Sequence, residues 1–518
     1  MMIGPILGWL LPAIYATGCV LVFSPSYSPW AVARVTAAAA LLMMVGALLI
    51  AVPWGWVAPI GVDSVGLTVA LLVAVLGWVV INYSWRYLGG EPNQTRFVRA
   101  MLFTLTAVAV LVVSRHLLVI VLSWSASSIG LHYLLTFYRE RKAAQIVAHK
   151  KFLVSRLAEI LLFIALLLIY QASGTLSLDG LESYLAAAGS LPSSLAVAAF
   201  LVALAAILKT AQLPLHGWLI QVMEAPTPVS ALLHAGVVNI GGFVLIRLAE
   251  LVSLAPAAQM LLLIVGSLTA VLAGLVMLTR VSIKVRLAWS TCAQMGFMLM
   301  EIGLGLYELA LLHLVAHSLY KAYAFLSAGE TVRLARGSDF LTATPRSTTP
   351  AWYLVAVLIS TALVFGSAAV WQLFVPALAL PPVALVIIAF GLAPLFWTDQ
   401  GIAAARVARS AIQVIALSQL YLLWHLLFTG LAPDAAHAGT PAILWVLLCF
   451  SVLYGCQVWL RCFPEGRFAR VLYPWAYCGF YLDETFTRMT FKIWPVKFSP
   501  LQARTLVNRS PTLKGELQ

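Results

Sequence analysis

Apolar runs alternate with short polar breaks along almost the whole of this chain. A membrane-spanning helix needs roughly 20 predominantly apolar residues. Runs of that kind lie near 2–23, 31–52, 62–85, 98–113, 116–137, 151–171, 195–212, 229–252, 258–279, 283–304, 307–330, 351–374, 380–398, 404–429 and 441–460. The pattern predicts an all-α polytopic membrane protein with about fifteen transmembrane helices over residues 1–460. Residues 461–518 then form a basic, amphipathic tail whose Tyr473, Trp475, Tyr477, Tyr481, Phe486, Phe491 and Trp494 suit the cytoplasmic membrane interface. Lys and Arg test the count, because they gather in cytoplasmic loops. Alternate loops carry them, from Arg34 through Arg139, Arg141, Lys142, Lys150 and Lys151 to Arg461 and beyond. The loops at 172–194, 253–257, 301–308 and 430–440 carry none, and Arg115 is the one exception. An odd number of spans then places the N-terminus in the periplasm and the C-terminus in the cytoplasm of a bacterial inner membrane. The opening Met-Met-Ile-Gly-Pro has no basic flank, so it reads as a retained span and not a cleaved signal.

In one stretch, 204–250, the apolar pattern is broken by prolines and charge. An apolar helix runs into Lys209 and meets Pro214, then Pro226 and Pro228. Proline removes a backbone donor and collides with the preceding turn, so the helix must stop. Broken helices at membrane depth occur only where protein buries them or water lines them. A lysine there costs about 2.5–3.5 kcal/mol on insertion scales and marks a functional site by default. Snorkelling to the surface is its other possible role. Glu224 follows the break as a pathway residue or a solvated loop acid. His234 lies in an otherwise apolar helix as a pathway residue or a satisfied core histidine.

Two more groups stand out. His313, His317 and Lys321 recur at i, i+4 and i+8, which stacks them on one helix face. Such a row can pass protons through intervening waters, or it can simply pack. HxxxH is also metal-ligand spacing, but no glutamate follows His313 as in HExxH, and a nearby lysine would repel a cation. No metal site and no cofactor is expected. Glu159 is the one acid in the 151–171 run, with Arg156 three residues before it as a surface-pair candidate.

Composition sharpens this picture. The chain is 62% hydrophobic and 9% charged, with mean hydropathy +0.98, against about 25% charged residues in a soluble domain. The net charge of +13 sits between the apolar runs, so it does not indicate nucleic acid. Cys19, Cys292, Cys449, Cys456, Cys462 and Cys478 show no CxxC pairing and give no metal or disulfide framework.

Lys209-Thr-Ala-Gln-Leu-Pro-Leu-His and Met223-Glu-Ala-Pro-Thr-Pro-Val-Ser-Ala-Leu-Leu-His-Ala235 resemble the proton-channel signature of antiporter-like membrane subunits. That family includes subunit L of bacterial NADH:quinone oxidoreductase, its mitochondrial counterpart and the Mrp cation/proton antiporters. Leu312-His-Leu-Val-Ala-His-Ser-Leu-Tyr-Lys-Ala resembles the family's central histidine–lysine helix. The resemblance covers roughly residues 60–490. It implies a proton pathway over Lys209, Glu159, His234, His313, His317 and Lys321, supported by Glu224, Asp399, Pro214, Pro226 and Pro228. In it Glu159 faces Lys209, and weakening that pair releases a proton.

The chain departs from the family at three points. The fifth run reads Ser123-Trp-Ser-Ala-Ser-Ser-Ile-Gly130 where the family carries an acid after Trp. No lysine lies between Lys321 and Lys492, where the family's second broken helix has one, and Asp399 is the acid nearest that place. The segment from Tyr481 resembles the lead-in to the lateral helix of subunit L, yet the sequence stops soon afterwards. These departures look most like the membrane subunits of Dab-type inorganic-carbon accumulation complexes. The resemblance implies a cation-conducting transporter subunit and not an enzyme. It would energise a large, soluble or peripheral zinc partner resembling a β-carbonic anhydrase, docked on the basic face near Arg139–Lys151 and the tail. The rival is a proton-translocating subunit of a respiratory or Mrp complex.

Overall fold

The computed structural model describes residues 4–51, 62–138, 140–330, 349–376, 378, 380–397, 403–433 and 438–494. In chain order its helices are α1 (Gly4–Leu21), α2 (Pro29–Ala51), α3 (Ser64–Tyr87), α4 (Gln94–Val113), α5 (Leu117–Leu135), α6 (Lys142–Ser173), α7 (Leu178–Ala187), α8 (Ser193–Lys209), α9 (Gly217–Ile220), α10 (Thr227–Ala235), α11 (Ile240–Arg247), α12 (Ala249–Ser253), α13 (Pro256–Leu278), α14 (Ile283–Gly303) and α15 (Tyr307–Leu326). Then come α16 (Pro350–Phe374), α17 (Pro382–Leu392), α18 (Ala404–Phe428), α19 (Thr440–Cys462), α20 (Arg467–Tyr477) and α21 (Leu482–Ile493). No strand occurs among the described residues.

All fifteen predicted runs fall on helical chain. Among the described residues, however, eleven helical stretches are long and apolar enough to cross a membrane, fewer than the fifteen expected. The physical reasons differ from run to run. The helix Ser193–Lys209 is cut short at the break, and within Pro382–Phe396 the α-helix gives way at Ala393 to a 3-10 turn. Ile283–Gly303 is diluted by Lys284, Arg286 and Glu301.

The chain is dressed inside-out. Leu42, Leu167, Leu358 and Leu427 face outward, while Lys150, Lys151, Glu159, Lys209, His234, Glu301, His317 and Lys321 are buried. Lipid accepts the first set without penalty, and the protein interior must satisfy the second. Small residues let helices close on each other. A Cβ on Gly266 of α13 would come within 2.6 Å of the Gly296 carbonyl oxygen of α14, so these two backbones touch.

α6 has 32 residues and spans about 48 Å, against a hydrocarbon core of about 30 Å. Its first turns therefore rise beyond the bilayer at the basic end. There the tail folds back on it. The Asp483 carboxylate of α21 accepts from Lys150 Nζ (2.9 and 3.1 Å) and from the Gln221 side-chain amide (2.7 Å). The Trp494 ring stacks on His149, centroids 4.0 Å apart. A Cβ on Gly217 would overlap the Asp483 carboxylate, so only glycine lets the tail seat against the broken segment.

Of the basic face expected near Arg139–Lys151, two residues need correcting. Lys150 and Lys151 are buried, because α6 turns that face inward and the tail covers it. Arg139 and residues 495–518 lie outside the described residues.

Breaking the clamp should loosen the tail specifically. Asp483→Ala leaves the buried Lys150 ammonium without its carboxylate, at a cost of about 2 kcal/mol. We expect limited proteolysis of the 465–494 segment to accelerate by at least about tenfold, with Asp483→Asn in between. Unchanged cleavage would show that the clamp does not hold the tail.

Candidate functional site

α8 ends at Lys209, and the chain is not helical again in a sustained way until Thr227. Between them lie the Leu213–Pro214 peptide, which is cis, the single-turn α9 and a 3-10 turn at Gln221–Glu224. Pro226 is the N-cap residue of α10, with Pro228 in its first turn, where a missing N–H is tolerated. The three prolines thus fix where one helix ends and the next begins.

Lys209 is buried and does not snorkel. Its Nζ donates to Glu159 Oε1 of α6 at 3.3 Å and lies 4.5 Å from the centre of the Trp124 ring of α5. Glu159 also accepts from Arg156 at 2.8 Å. Both pairings open to Glu159 are therefore made at once, and one carboxylate is shared by two cations. Beside it lies a cavity of about 20 Å³ lined by Trp124, Ser127, Ser128, Lys151, Ser155, Lys209, Trp218 and Val237. That is room for water.

A second polar group lies on α10, α14 and α15. His234 is fully buried, its ring stacked on Phe325 with centroids 4.5 Å apart. The helix carrying it is interrupted two residues later, where Gly236 leaves helical geometry and a 3-10 turn intervenes. His317 is within electrostatic range of His234, His313 and Lys321. The His313 and His317 rings are 6.1 Å apart. Lys321 donates to the Leu287 carbonyl at 3.1 Å and to Ser290 Oγ. Both ring nitrogens of His234 and of His317 lack a partner among the described residues. Buried polar groups are rarely left so, and bridging water is the usual remedy. Titratable groups spaced this way and joined by water can relay a proton, since imidazole both donates and accepts.

Other predicted residues stand apart. Glu224 is half-exposed and faces Arg141, 3.5 Å away, as a solvated loop acid. Asp399 lies outside the described residues. At the opposite end of the molecule Arg247 binds Asp63 at 2.7 Å and the Ser114 carbonyl, and Arg115 bridges Asp63, Asp179 and Glu182. Burial raises the Glu182 carboxyl above its ordinary range against the pull of Arg115.

Residues 114–390 match the family described as NADH:quinone oxidoreductase/Mrp antiporter, transmembrane region. Residues 58–98 match the chain 5 N-terminus of NADH-ubiquinone oxidoreductase. The chain belongs to this antiporter-like membrane subunit family. It is 40% identical over 454 residues to a probable inorganic carbon transporter subunit, DabB, of Hydrogenovibrio crunogenus, covering 85% of each chain. To NADH-quinone oxidoreductase subunit L of Mycobacterium tuberculosis it is 32% identical over 274 residues, 52% of this chain and 43% of that one. In fold it is similar to a chain of the Mrp complex from Dietzia, at 22% identity with a TM-score of 0.59, and it spans 61% of that chain. As a member of the family it is a multi-pass membrane protein with an ion-translocating type of domain.

Two site residues escaped the sequence reading. Glu301 of α14 is buried, and His313 Nδ1 lies 2.9 Å from its Oε2. The acid stands next to a turn and reads as a loop residue, so only the fold turns it inward. Lys151 is the other. The row Lys151, Ser155 and Glu159 has the same i, i+4, i+8 spacing as His313, His317 and Lys321, and all three members are buried. That spacing was the available signal.

Sharing of Glu159 makes an asymmetric prediction. Glu159→Ala strips Lys209 of its carboxylate and should destabilise by about 3 kcal/mol, as removal of one partner from a buried pair does. Lys209→Ala leaves Glu159 paired with Arg156 and should cost less. The double mutant should recover about 1–2 kcal/mol of the sum. Thermal unfolding in detergent measures all three, and strictly additive losses would sink the coupling.

Proposed function

We propose that this chain is the proton-conducting membrane subunit of a two-component inorganic-carbon uptake complex, working beside a large zinc-containing partner that resembles a β-carbonic anhydrase. The observation that carries the conducting role is the buried Lys209–Glu159 pair at a broken helix. Lys209 is the switch. When Arg156 draws Glu159 away, the Lys209 proton can pass on through water to His234, then along the row Lys321, His317 and His313. Beyond His313 the buried Glu301 takes the proton. Pro214, Pro226 and Pro228 hold the break open, with Glu224, which faces Arg141 at its edge, and Asp399 as further supporting groups.

The inorganic-carbon role is supported by similarity over 85% of this chain to a subunit named for it, whereas the match to subunit L covers about half of this chain. The residue after Trp124 is Ser125, whose hydroxyl binds the Val121 carbonyl and cannot hold a charge. A subunit in a row of antiporters would lose its electrostatic hand-over there, and a subunit serving one partner would not need it. The proposed setting is the bacterial inner membrane, with the N-terminus periplasmic and the C-terminus cytoplasmic. The partner docks on the outward face of the tail, where Tyr473, Trp475, Tyr477 and Tyr481 are exposed; aromatics and Arg suit such contacts.

In proteoliposomes, Lys209→Ala, His317→Ala and Lys321→Ala should each lower proton flux about 100-fold or more, the range in which loss of a positioned proton carrier falls. Glu159→Gln should impair it less. Wild-type flux or growth in air with Lys209→Ala would overturn the conducting role. Mass measurement of the complex purified in mild detergent tests the setting. A soluble zinc protein and no second antiporter-like chain is expected; a stoichiometric second antiporter-like chain, or no soluble partner, would defeat it.

A further inference from the structure

We infer that Lys151 is a second proton carrier of this site, working between Lys209 and the basic end of the molecule in place of the acid that α5 lacks. The inference rests on the conducting role of Lys209. Lys151 lies on α6 two turns before Glu159, and both are buried. Its Nζ donates to the Ser128 carbonyl at 3.0 Å and to Ser128 Oγ at 2.9 Å, and Ser128 Oγ donates to Ser155 Oγ at 3.0 Å. Ser128 and Ser155 belong to α5 and α6, so the lysine sits in the seam where those helices meet.

Three observations make it more than a packing lysine. First, Lys151 and Lys209 line the same water-sized cavity, together with Ser127, Ser128 and Ser155. Second, its surroundings repeat those of Lys321, the lysine of the central row. Each Nζ is held by one backbone carbonyl and one serine hydroxyl, with no carboxylate partner among the described residues. Third, the seam continues outward. His132 follows Ser128 by one turn on α5, lies within electrostatic range of Lys151 and His149, and hydrogen-bonds the Ala148 backbone, while its buried Nδ1 has no partner among the described residues. The order along the helices is Lys209, Lys151, His132, then the basic end covered by the tail.

The step balances without any other reactant. A proton leaves Lys209 Nζ, which becomes a neutral amine, and arrives at Lys151 Nζ, which becomes an ammonium. The hydroxyls of Ser128 and Ser155 and water in the cavity can each donate one hydrogen bond while accepting another, so they carry the proton between the two. Lys151 then passes it to His132, or receives one from it in the opposite direction of flow. Glu159 remains the shared carboxylate and stabilises whichever lysine bears the charge.

Arginine separates this role from a structural one. It keeps the charge and the hydrogen-bond donors, but it does not release its proton in a protein. Proton flux is measured in proteoliposomes for Lys151→Arg, Lys151→Met and Lys209→Ala, with thermal unfolding on the same preparations. Expected are folded Lys151 variants, both with flux reduced at least about tenfold. Wild-type flux in Lys151→Arg would overturn the inference, because a group that cannot give up its proton would then suffice. Failure of both Lys151 variants to fold would assign the lysine a structural role and overturn it equally. Full flux in Lys209→Ala would instead defeat the conducting role on which the inference stands. Loss of flux in Lys209→Ala with normal flux in both Lys151 variants would leave that role intact and remove Lys151 alone.

Discussion

A lysine and a glutamate held 3.3 Å apart inside a membrane protein constrain everything around them. Taking each charge out of water costs several kcal/mol even after relaxation, and mutual attraction offsets this only when geometry is good and the remaining donors and acceptors are met. The fold supplies those conditions from four directions. α8 stops so that Lys209 can reach sideways. α6 brings Glu159 and, one turn earlier, Arg156. α5 lays the Trp124 ring beneath the ammonium. The irregular chain from Thr210 to Pro226 brings Trp218 to the water-sized cavity beside Lys209. Remove the break and α8 would continue past Lys209 as ordinary helix, with no reason for a cavity there.

The break, the central row and the fold class were legible because each rests on local chemistry. Proline stops a helix wherever it stands, so Pro214, Pro226 and Pro228 announced the interruption. The i, i+4, i+8 spacing placed His313, His317 and Lys321 on one face before any neighbour was known. Glu301 was hidden for the opposite reason: its meaning depends on which way a helix end is rolled, and it stands beside a turn. Lys151 did share the i, i+4, i+8 spacing with Ser155 and Glu159, but its place in a basic run made it read as surface charge. Lys150 and Lys151 were counted as surface charge by position. Yet α6 outruns the bilayer, and its emerging turns are covered by Asp483, Phe486 and Trp494, some 330 residues further on. Nothing local signals a contact of that separation. The interruption at Gly236 was missed too, since a single glycine within an apolar run is compatible with continuous helix.

The tail clamp links the two ends of this reasoning. Asp483 does not merely neutralise Lys150. It also takes a hydrogen bond from Gln221 and rests on Gly217, so it touches the broken segment between α8 and α10 directly. A contact at the basic surface is thereby joined, through α9 and the 3-10 turn after it, to the helix end that carries Lys209. Packed elements of this kind have few alternative arrangements. A partner bound on the outer face of the tail would bear on the same segment through rigid chain, with no need for a long path of its own.

The charge inventory of the first site explains why losing an acid from α5 need not silence it. In a site with two acids and one lysine, the lysine proton is contested by carboxylates. Here the inventory is reversed: Lys209, Lys151 and Arg156 gather around the single carboxylate of Glu159. Arg156 keeps its charge throughout. The two lysines can each exist with or without the proton, and one carboxylate serves one additional cation far better than two, because like charges in a poorly solvated space repel. The arrangement therefore retains a two-position character, one proton with two lysines to choose from. What has changed is the carrier. The proton moves between nitrogen atoms across a seam lined by serine hydroxyls, and the direction it takes is set by which end of that seam, Lys209 or His132, is the better supplied.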